Sequence, residues 1–320
     1  MNITKQVSTP VITELSRPHD TLEGHINEFL RFLKSPYTQR AYRSALRSFS
    51  DYITANPSGG PMTAADLNEY MKYLLKGGRT ARTVNMYLSA LKRFFKYLEA
   101  GGHYMNIART VEGMKVKRQF TKYALTAEQA GELVNHYRTE LEVKGNEKSL
   151  RNLAMVHLML RAGLRLIEVV RANVSDIKEI DGKTVLWVQG KGRDEKDEFV
   201  QLSDVAKDII LTYLEARGAK PSEPLFIGAG NRNRGRITTR HISRMVKAGL
   251  RAIGIDSEKY TAHSLRHTFA VLLYKAGVPI EDIQKLLRHS DIATTLIYLK
   301  SIEDEERLKR NHVSILDDKF

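Results

Sequence analysis

A histidine and an arginine three residues apart share one helical face, and Thr261-Ala262-His263-Ser264-Leu265-Arg266-His267 sets His263 and Arg266 in that relation. Such a pair can grip one phosphate: the guanidinium offers a planar fork of donors, and the imidazole offers a donor that can also move a proton. Taken alone it carries little weight, because pairs of this kind arise in many helices. Further on, Leu287-Arg288-His289-Ser290-Asp291-Ile292-Ala293-Thr294-Thr295-Leu296-Ile297-Tyr298 places a tyrosine nine residues after a histidine. Most tyrosines pack their rings in cores or interfaces, so this too is unremarkable by itself. Upstream, Ala162-Gly163-Leu164-Arg165-Leu166-Ile167-Glu168 follows an apolar segment, and Gly190-Lys191-Gly192 lies between two strand-like runs. Read singly, these are a surface arginine after a helix-ending glycine and a basic turn.

The elements that must hold these residues are mostly helical. Leu22, Ile26, Phe29, Leu30 and Leu33 recur on one face, and Ser35-Pro36 reads as an N-cap followed by proline in the first turn. The next segment turns Tyr42, Ala45, Leu46, Phe49 and Tyr52 inward and Arg40, Arg43 and Arg47 outward. Thr63 with Asp66 forms a capping pair before Leu67, Tyr70, Met71, Leu74 and Leu75, and Gly77-Gly78 stops that helix. A fourth helix buries Val84, Tyr87, Leu88, Leu91, Phe95 and Leu98 and shows Arg82, Lys92, Arg93 and Lys96 outside. After a loose leader over 1–20, residues 21–111 therefore read as a four-helix domain with two basic faces. Residues 112–123, with Lys115, Lys117, Arg118 and Lys122, read as a cationic linker.

A second domain is expected over 124–310. Thr126 and Gln129 form a capping-box pattern, and Leu150 to Leu160 is apolar nearly all round, as a central helix should be. Val185 to Val188 and Phe199 to Leu202 suggest a hairpin around a polar stretch. Residues 231–251 hold Arg232, Arg234, Arg236, Arg240, Arg244, Lys247 and Arg251 with no acidic residue, the strongest local anion-binding signal. The fold class expected is mainly α, with a small antiparallel sheet in the second domain.

Lys plus Arg number 51 against 37 Asp plus Glu, a formal charge of +14 that favours a polyanionic partner, nucleic acid before an anionic membrane. The 320 residues include no cysteine, which excludes disulfides, thiolate zinc sites and a cysteine nucleophile. The start lacks a basic region followed by an apolar core, and no apolar run approaches the roughly 20 residues needed to span a bilayer. A soluble intracellular protein without a membrane partner is expected.

Taken together and in order, these pieces resemble the tyrosine recombinase (phage integrase) family, of the simple two-domain Xer-like type, over nearly the whole chain. The resemblance implies a helical core-binding domain followed by a catalytic domain. It implies Arg165 as the first catalytic arginine, Lys191 as the hairpin lysine, His263 and Arg266 as the His-x-x-Arg pair, His289 as the second histidine and Tyr298 as the nucleophile, with Glu168 supporting Arg165. Arg288 stands where many members carry glycine, and Leu166-Ile167 replaces the frequent Ile-Ser; neither change removes a reacting group.

The implied activity is site-specific recombination through a 3′-phosphotyrosyl intermediate, for integration, excision, inversion or dimer resolution. No metal, cofactor or ATP is expected. Arg165, Arg266 and the histidines would donate to the non-bridging phosphate oxygens, Lys191 would protonate the departing 5′ oxygen, and the tyrosyl ester would keep the energy for rejoining. Arg40, Arg43, Arg47, Arg82, Lys92, Arg240 and Arg244 are the candidate DNA contacts. The implied partners are duplex DNA with paired sites, three further copies of the chain, and accessory proteins, in the cytoplasm at the nucleoid. The tail, 311–320, carries Val313, Ile315 and Leu316, which in the family dock on a neighbouring subunit; packing on the chain's own domain is the alternative. The short leader leaves no room for an extra arm-binding domain. Two other functions share much of this pattern: a type IB topoisomerase-like enzyme, and a non-cleaving DNA-binding protein of the same fold.

Overall fold

The computed structural model describes residues 22–57, 59–116, 123–190, 193–228, 235–296 and 299. The leader, Lys191, Arg232, Arg234, Tyr298 and the tail lie outside them. The chain divides into two compact units, Met1–Lys117 and Arg118–Phe320.

The first unit consists of α1 (Leu22–Arg31), α2 (Pro36–Ala55), α3 (Ala64–Lys76) and α4 (Ala81–Ala100). Their ends follow the chemistry of the sequence. The Ser35 side chain accepts the Thr38 N–H at 3.4 Å ahead of Pro36, and the Thr63 N–H donates to Asp66 Oδ2 at 2.7 Å. Gly77 caps α3 and Gly78 follows at φ +79°, the left-handed region open to glycine. Leu46, Phe49, Tyr70, Leu91, Phe94 and Phe95 fill the core. Phe49 meets Tyr70 and Phe95 edge-on at 5.2 and 6.1 Å, and each such buried ring or aliphatic chain contributes about 1.5–3 kcal/mol.

Two positions differ from the periodic reading. Phe94 is fully buried although the stripe read from sequence omits it, because α4 packs against α1, α2 and α3 and buries more than one narrow face. Leu75, at the end of α3, is 40 % exposed. Beyond α4, Val111 enters the core, and the Asn85 amide takes the Met114 N–H at 2.7 Å and donates to the Met114 carbonyl at 2.8 Å. The first residues of the basic segment are thereby fastened to α4.

The second unit is organised around α6 (Glu147–Ala162), against which α5 (Ala127–Lys144), α8 (Asp204–Ala216) and α10 (Ala262–Lys275) pack. Met155, Val156, Leu158 and Met159 are fully buried, as expected of a central helix. The same helix buries Arg151, Asn152 and His157, which the apolar reading did not stress. Arg151 donates to the Ile227 carbonyl at 2.8 Å and to Asn152 Oδ1 at 3.0 Å, and His157 accepts from Arg161 Nε at 3.1 Å.

The sheet is antiparallel in the order β1 (Ile177–Ile180), β2 (Lys183–Val188), β3 (Glu198–Gln201). The hairpin read from sequence is β2–β3, with Leu186 opposite Val200 and Trp187 opposite Phe199. A third strand, β1, joins it through Asp181-Gly182, both at positive φ of 49° and 73°. An Asp-Gly pair suits such a turn, and the hairpin read from sequence did not include it or β1. Helices α7 (Leu166–Arg171), α9 (Thr239–Ala252) and α11 (Ile280–Leu287) complete the unit, and residues 292–296 are helical. Among the described residues no helix is long and apolar enough to cross a membrane.

Candidate active site

Residues from three separate stretches meet around one carboxylate. Gly163 ends α6 at φ +57°, and its positive φ turns the chain so that Arg165 precedes α7. Glu168, in the first turn of α7, folds back on it: the Arg165 N–H donates to Glu168 Oε2 at 2.7 Å and Arg165 Nη1 donates to Oε1 at 2.8 Å. The Glu168 side chain is wholly buried. Arg266, on the buried face of α10, lies with Nη1 3.8 Å from Glu168 Oε2 and donates to the Gly163 carbonyl at 2.5 Å and to the Leu287 carbonyl. Arg165 Nη2 crosses to the Arg288 carbonyl at 2.7 Å, and Arg288 Nη2 returns to Glu168 Oε2 at 2.7 Å.

The result is one buried anion tied to three guanidiniums. Burial pushes the Glu168 carboxyl upward, but Arg288, the Arg165 N–H and Arg266 outweigh it and hold the group below the usual carboxylate range. Glu168 is therefore ionised at neutral pH. It fixes the arginines and leaves an excess of positive charge.

Both histidines stand within this field. His289 Nδ1 and Thr295 Oγ1 are 2.9 Å apart, with Thr295 fully buried, so the hydroxyl orients the ring. Burial, then Arg266, Arg165, Arg288 and His263, lowers the His289 pKa to about 3. His263, at the start of α10, is lowered to about 4 by partial desolvation, then Arg266, His267 and Arg165. His263 keeps exposed surface beside the Arg266 and Arg165 guanidiniums. In the free protein both rings are neutral at pH 7, and a bound anion would raise both.

An open cleft of about 520 Å³ lies over this cluster, lined by Arg165, Arg288, His289 and Gly190 among others. Gly190 is the described residue just before Lys191, and its carbonyl accepts from Arg171 Nη1 at 3.1 Å. Of the six reacting groups expected from sequence, Arg165, His263, Arg266 and His289 come together here, with Glu168 beneath them. Lys191 and Tyr298 lie outside the described residues.

Arg40, Arg43 and Arg47 line a cavity of about 640 Å³ in the first unit. Arg79 joins them; it follows Gly77-Gly78 and was missed because it sits beyond a helix end rather than on the α2 stripe. Arg43 Nη1 donates to Asn27 Oδ1 at 3.1 Å, while Arg82 and Lys92 are exposed on α4. The basic run around α9 is less uniformly available than its composition suggests. Arg236 is used within the fold, donating to the Val170 and Ala172 carbonyls at 2.8 and 2.9 Å. Lys247 and Arg251 pair with Asp256 at 3.5 and 2.9 Å, an acid just past the segment. Arg240 and Arg244 remain exposed.

Residues 124–305 match the phage integrase family, and residues 26–102 match the phage integrase N-terminal SAM-like domain. The chain belongs to the phage integrase family. It is 32 % identical over 291 residues to the tyrosine recombinase XerC of Thermodesulfovibrio yellowstonii, covering 86 % of this chain and 90 % of that protein. The fold is similar to that of the XerH site-specific recombinase bound to a palindromic difH substrate after cleavage, with a TM-score of 0.71, 19 % identity and coverage of 93 % and 99 % of the two chains. It is also similar to lambda integrase in a tetramer bound to a Holliday junction, with a TM-score of 0.61, 18 % identity and coverage of 86 % and 76 %. This family member is a site-specific recombinase acting on DNA.

Proposed function

We propose that this recombinase cleaves and rejoins duplex DNA through a covalent bond between Tyr298 and a DNA 3′ phosphate. The observation that carries the reading is the convergence of Arg165 and Arg266 on Glu168, with His263 and His289 beside them. A phosphodiester resists attack because its oxygens are negative, and fixed guanidinium donors relieve the charge that builds in the transition state without reorganising. The phenolic oxygen attacks phosphorus, the bond to the 5′ oxygen breaks, and Lys191 supplies the proton that the 5′ oxygen takes up. A neutral imidazole of the pair is the base that receives the phenol's proton. Attack by a 5′ hydroxyl on the tyrosyl ester reverses these steps, so no external energy source is consumed.

Arg40, Arg43, Arg47, Arg82, Lys92, Arg240 and Arg244 are assigned to the DNA backbone. Four protomers on two duplexes are the expected assembly, with the apolar tail residues as a contact between them. The arrangement in the lambda integrase tetramer supports this reading by analogy of fold.

The test is a nicked suicide substrate run on a denaturing gel. The wild-type chain should shift with its DNA strand, in the presence of EDTA and without nucleotide. Tyr298→Phe should bind the same DNA without the shift. A covalent complex formed by Tyr298→Phe would move the nucleophile to another residue, and cleavage restored only by added magnesium would overturn the mechanism.

A further inference from the structure

Arg288 occupies an unfavourable backbone position for a side chain. It caps α11 at φ 55° and ψ 48°, the left-handed region, and apart from Asp181 it is the sole non-glycine residue at positive φ among the described residues. Glycine adopts this conformation freely, whereas an arginine there brings its Cβ close to the following carbonyl oxygen. The sequence thus carries the costlier residue at a turn, and the reason lies in its side chain.

That side chain is 4 % exposed and runs beneath the cleft. Its Nη2 donates to Glu168 Oε2 at 2.7 Å and lies 3.4 Å from the Gly163 carbonyl, while Nη1 donates to the Leu286 carbonyl at 2.7 Å. Arg266 approaches the same Glu168 oxygen only to 3.8 Å and spends its close contacts on the Gly163 and Leu287 carbonyls. The guanidinium hydrogen-bonded to Oε2 is therefore that of Arg288. Its own carbonyl accepts from Arg165 Nη2 at 2.7 Å, so residue 288 holds Arg165 directly through its backbone and again through Glu168. His289 is the next residue along the chain.

We infer that Arg288 is a positioning residue of the recombination site, clamping Glu168 so that Arg165 and Arg266 stay aimed at the scissile phosphate, and adding a third fixed positive charge beneath it. The inference rests on the cleavage reading above. Removal of the guanidinium leaves Oε2 with the Arg165 N–H as its close donor, so that Glu168 is held from one side only. Arg165 then loses the fixed anion that holds its fork, although no group touching the phosphate has been deleted.

Arg288→Gly separates this role from a structural one, because it relieves the backbone while deleting the clamp. Single-turnover cleavage of a suicide substrate by the full chain should fall by about 10- to 100-fold, the usual range for loss of an orienting partner, with half-site affinity nearly unchanged. Glu168 should become easier to protonate, since burial opposes its charge and Arg288 is the leading opposing influence; the acid limb of the cleavage rate should move to higher pH. Arg288→Lys should restore part of that limb. With Glu168→Gln already present, adding Arg288→Gly should cost little more.

A wild-type chain that forms no covalent complex would sink the cleavage reading and leave a separate measurement to decide Arg288: the carboxyl carbon resonance of Glu168 titrated in wild type and Arg288→Gly. An upward pKa shift in the variant supports the clamp. An unmoved titration, or cleavage by Arg288→Gly at the wild-type rate with the same acid limb, would overturn it.

Discussion

Glu168→Gln is the perturbation that probes the centre of the site most directly. The Glu168 side chain is wholly buried, one oxygen 2.8 Å from Arg165 Nη1 and the other 2.7 Å from both the Arg165 N–H and Arg288 Nη2. Glutamine keeps the shape but can offer only one oxygen, so its amide NH₂ must face a donor. Three guanidiniums are then left with no anion among them. Removing one member of a buried ion pair costs about 3–5 kcal/mol. For a domain of this size, each kcal/mol moves the melting temperature by about 2–4 °C, so the expected fall is about 6–20 °C. DNA should recover part of this, since a phosphate in the cleft supplies a negative charge to the same guanidiniums. The assay is thermal unfolding by circular dichroism with and without half-site DNA, alongside suicide-substrate cleavage. A melting temperature within about 2 °C of wild type, together with unimpaired cleavage, would refute the claim that Glu168 organises the arginines. Glu168→Asp, which keeps the charge but shortens the reach, should fall between the two.

Three further outcomes follow from other parts of the structure. His263 and His289 carry pKa values lowered to about 4 and about 3, so on acidification the unfolded chain takes up protons first. Stability should be full above about pH 6.5 and be lost as pH falls from there through 4 and 3; His289→Asn should flatten this fall in melting temperature, and equal slopes would argue against a neutral His289. Gly163→Ala places a methyl at φ +57° against the Phe269 ring and should destabilise the second unit by about 1–3 kcal/mol in a urea titration; a variant as stable as wild type would show that the turn before Arg165 relaxes freely. Arg40→Ala with Arg47→Ala should flatten the slope of log affinity against log salt by about 2, and so should Arg240→Ala with Arg244→Ala; an unchanged slope would place that pair away from DNA.

Much of this was legible in the sequence because the fold's rules there are local. Ser35-Pro36, Thr63 with Asp66, and Thr126 with Gln129 announce helix starts by side-chain chemistry within four residues, and each performs that task in the structure. His263 and Arg266 share a face because the helix period requires it. What remained hidden depends on distant partners. Phe94 is buried because α4 has several neighbours, which no single stripe reveals. The basic run near α9 reads from sequence as the strongest local anion-binding signal, but Asp256, and the carbonyls of Val170 and Ala172, claim Lys247, Arg251 and Arg236. A count of cations in a segment overstates the charge that segment offers an anion.

The same distinction explains why Arg288 read from sequence as a tolerated departure and from structure as a participant. From spacing alone, a residue beside His289 has no visible connection to Glu168, 120 positions earlier. Its effect depends on the turn ending α11, which brings the chain back over Gly163 and points the Arg288 carbonyl at Arg165 and its guanidinium at the carboxylate beneath. Strain at one backbone position and an ion pair across the domain are then two sides of one arrangement. The left-handed φ sets the direction of the side chain, and the buried anion makes the arginine worth keeping there. A substitution that eased the φ while removing the charge would make the turn more comfortable and the arginines less fixed. The local relief of about 1–2 kcal/mol is smaller than the roughly 3–5 kcal/mol at stake when a buried ion pair loses one member, so stability and catalytic order should both fall.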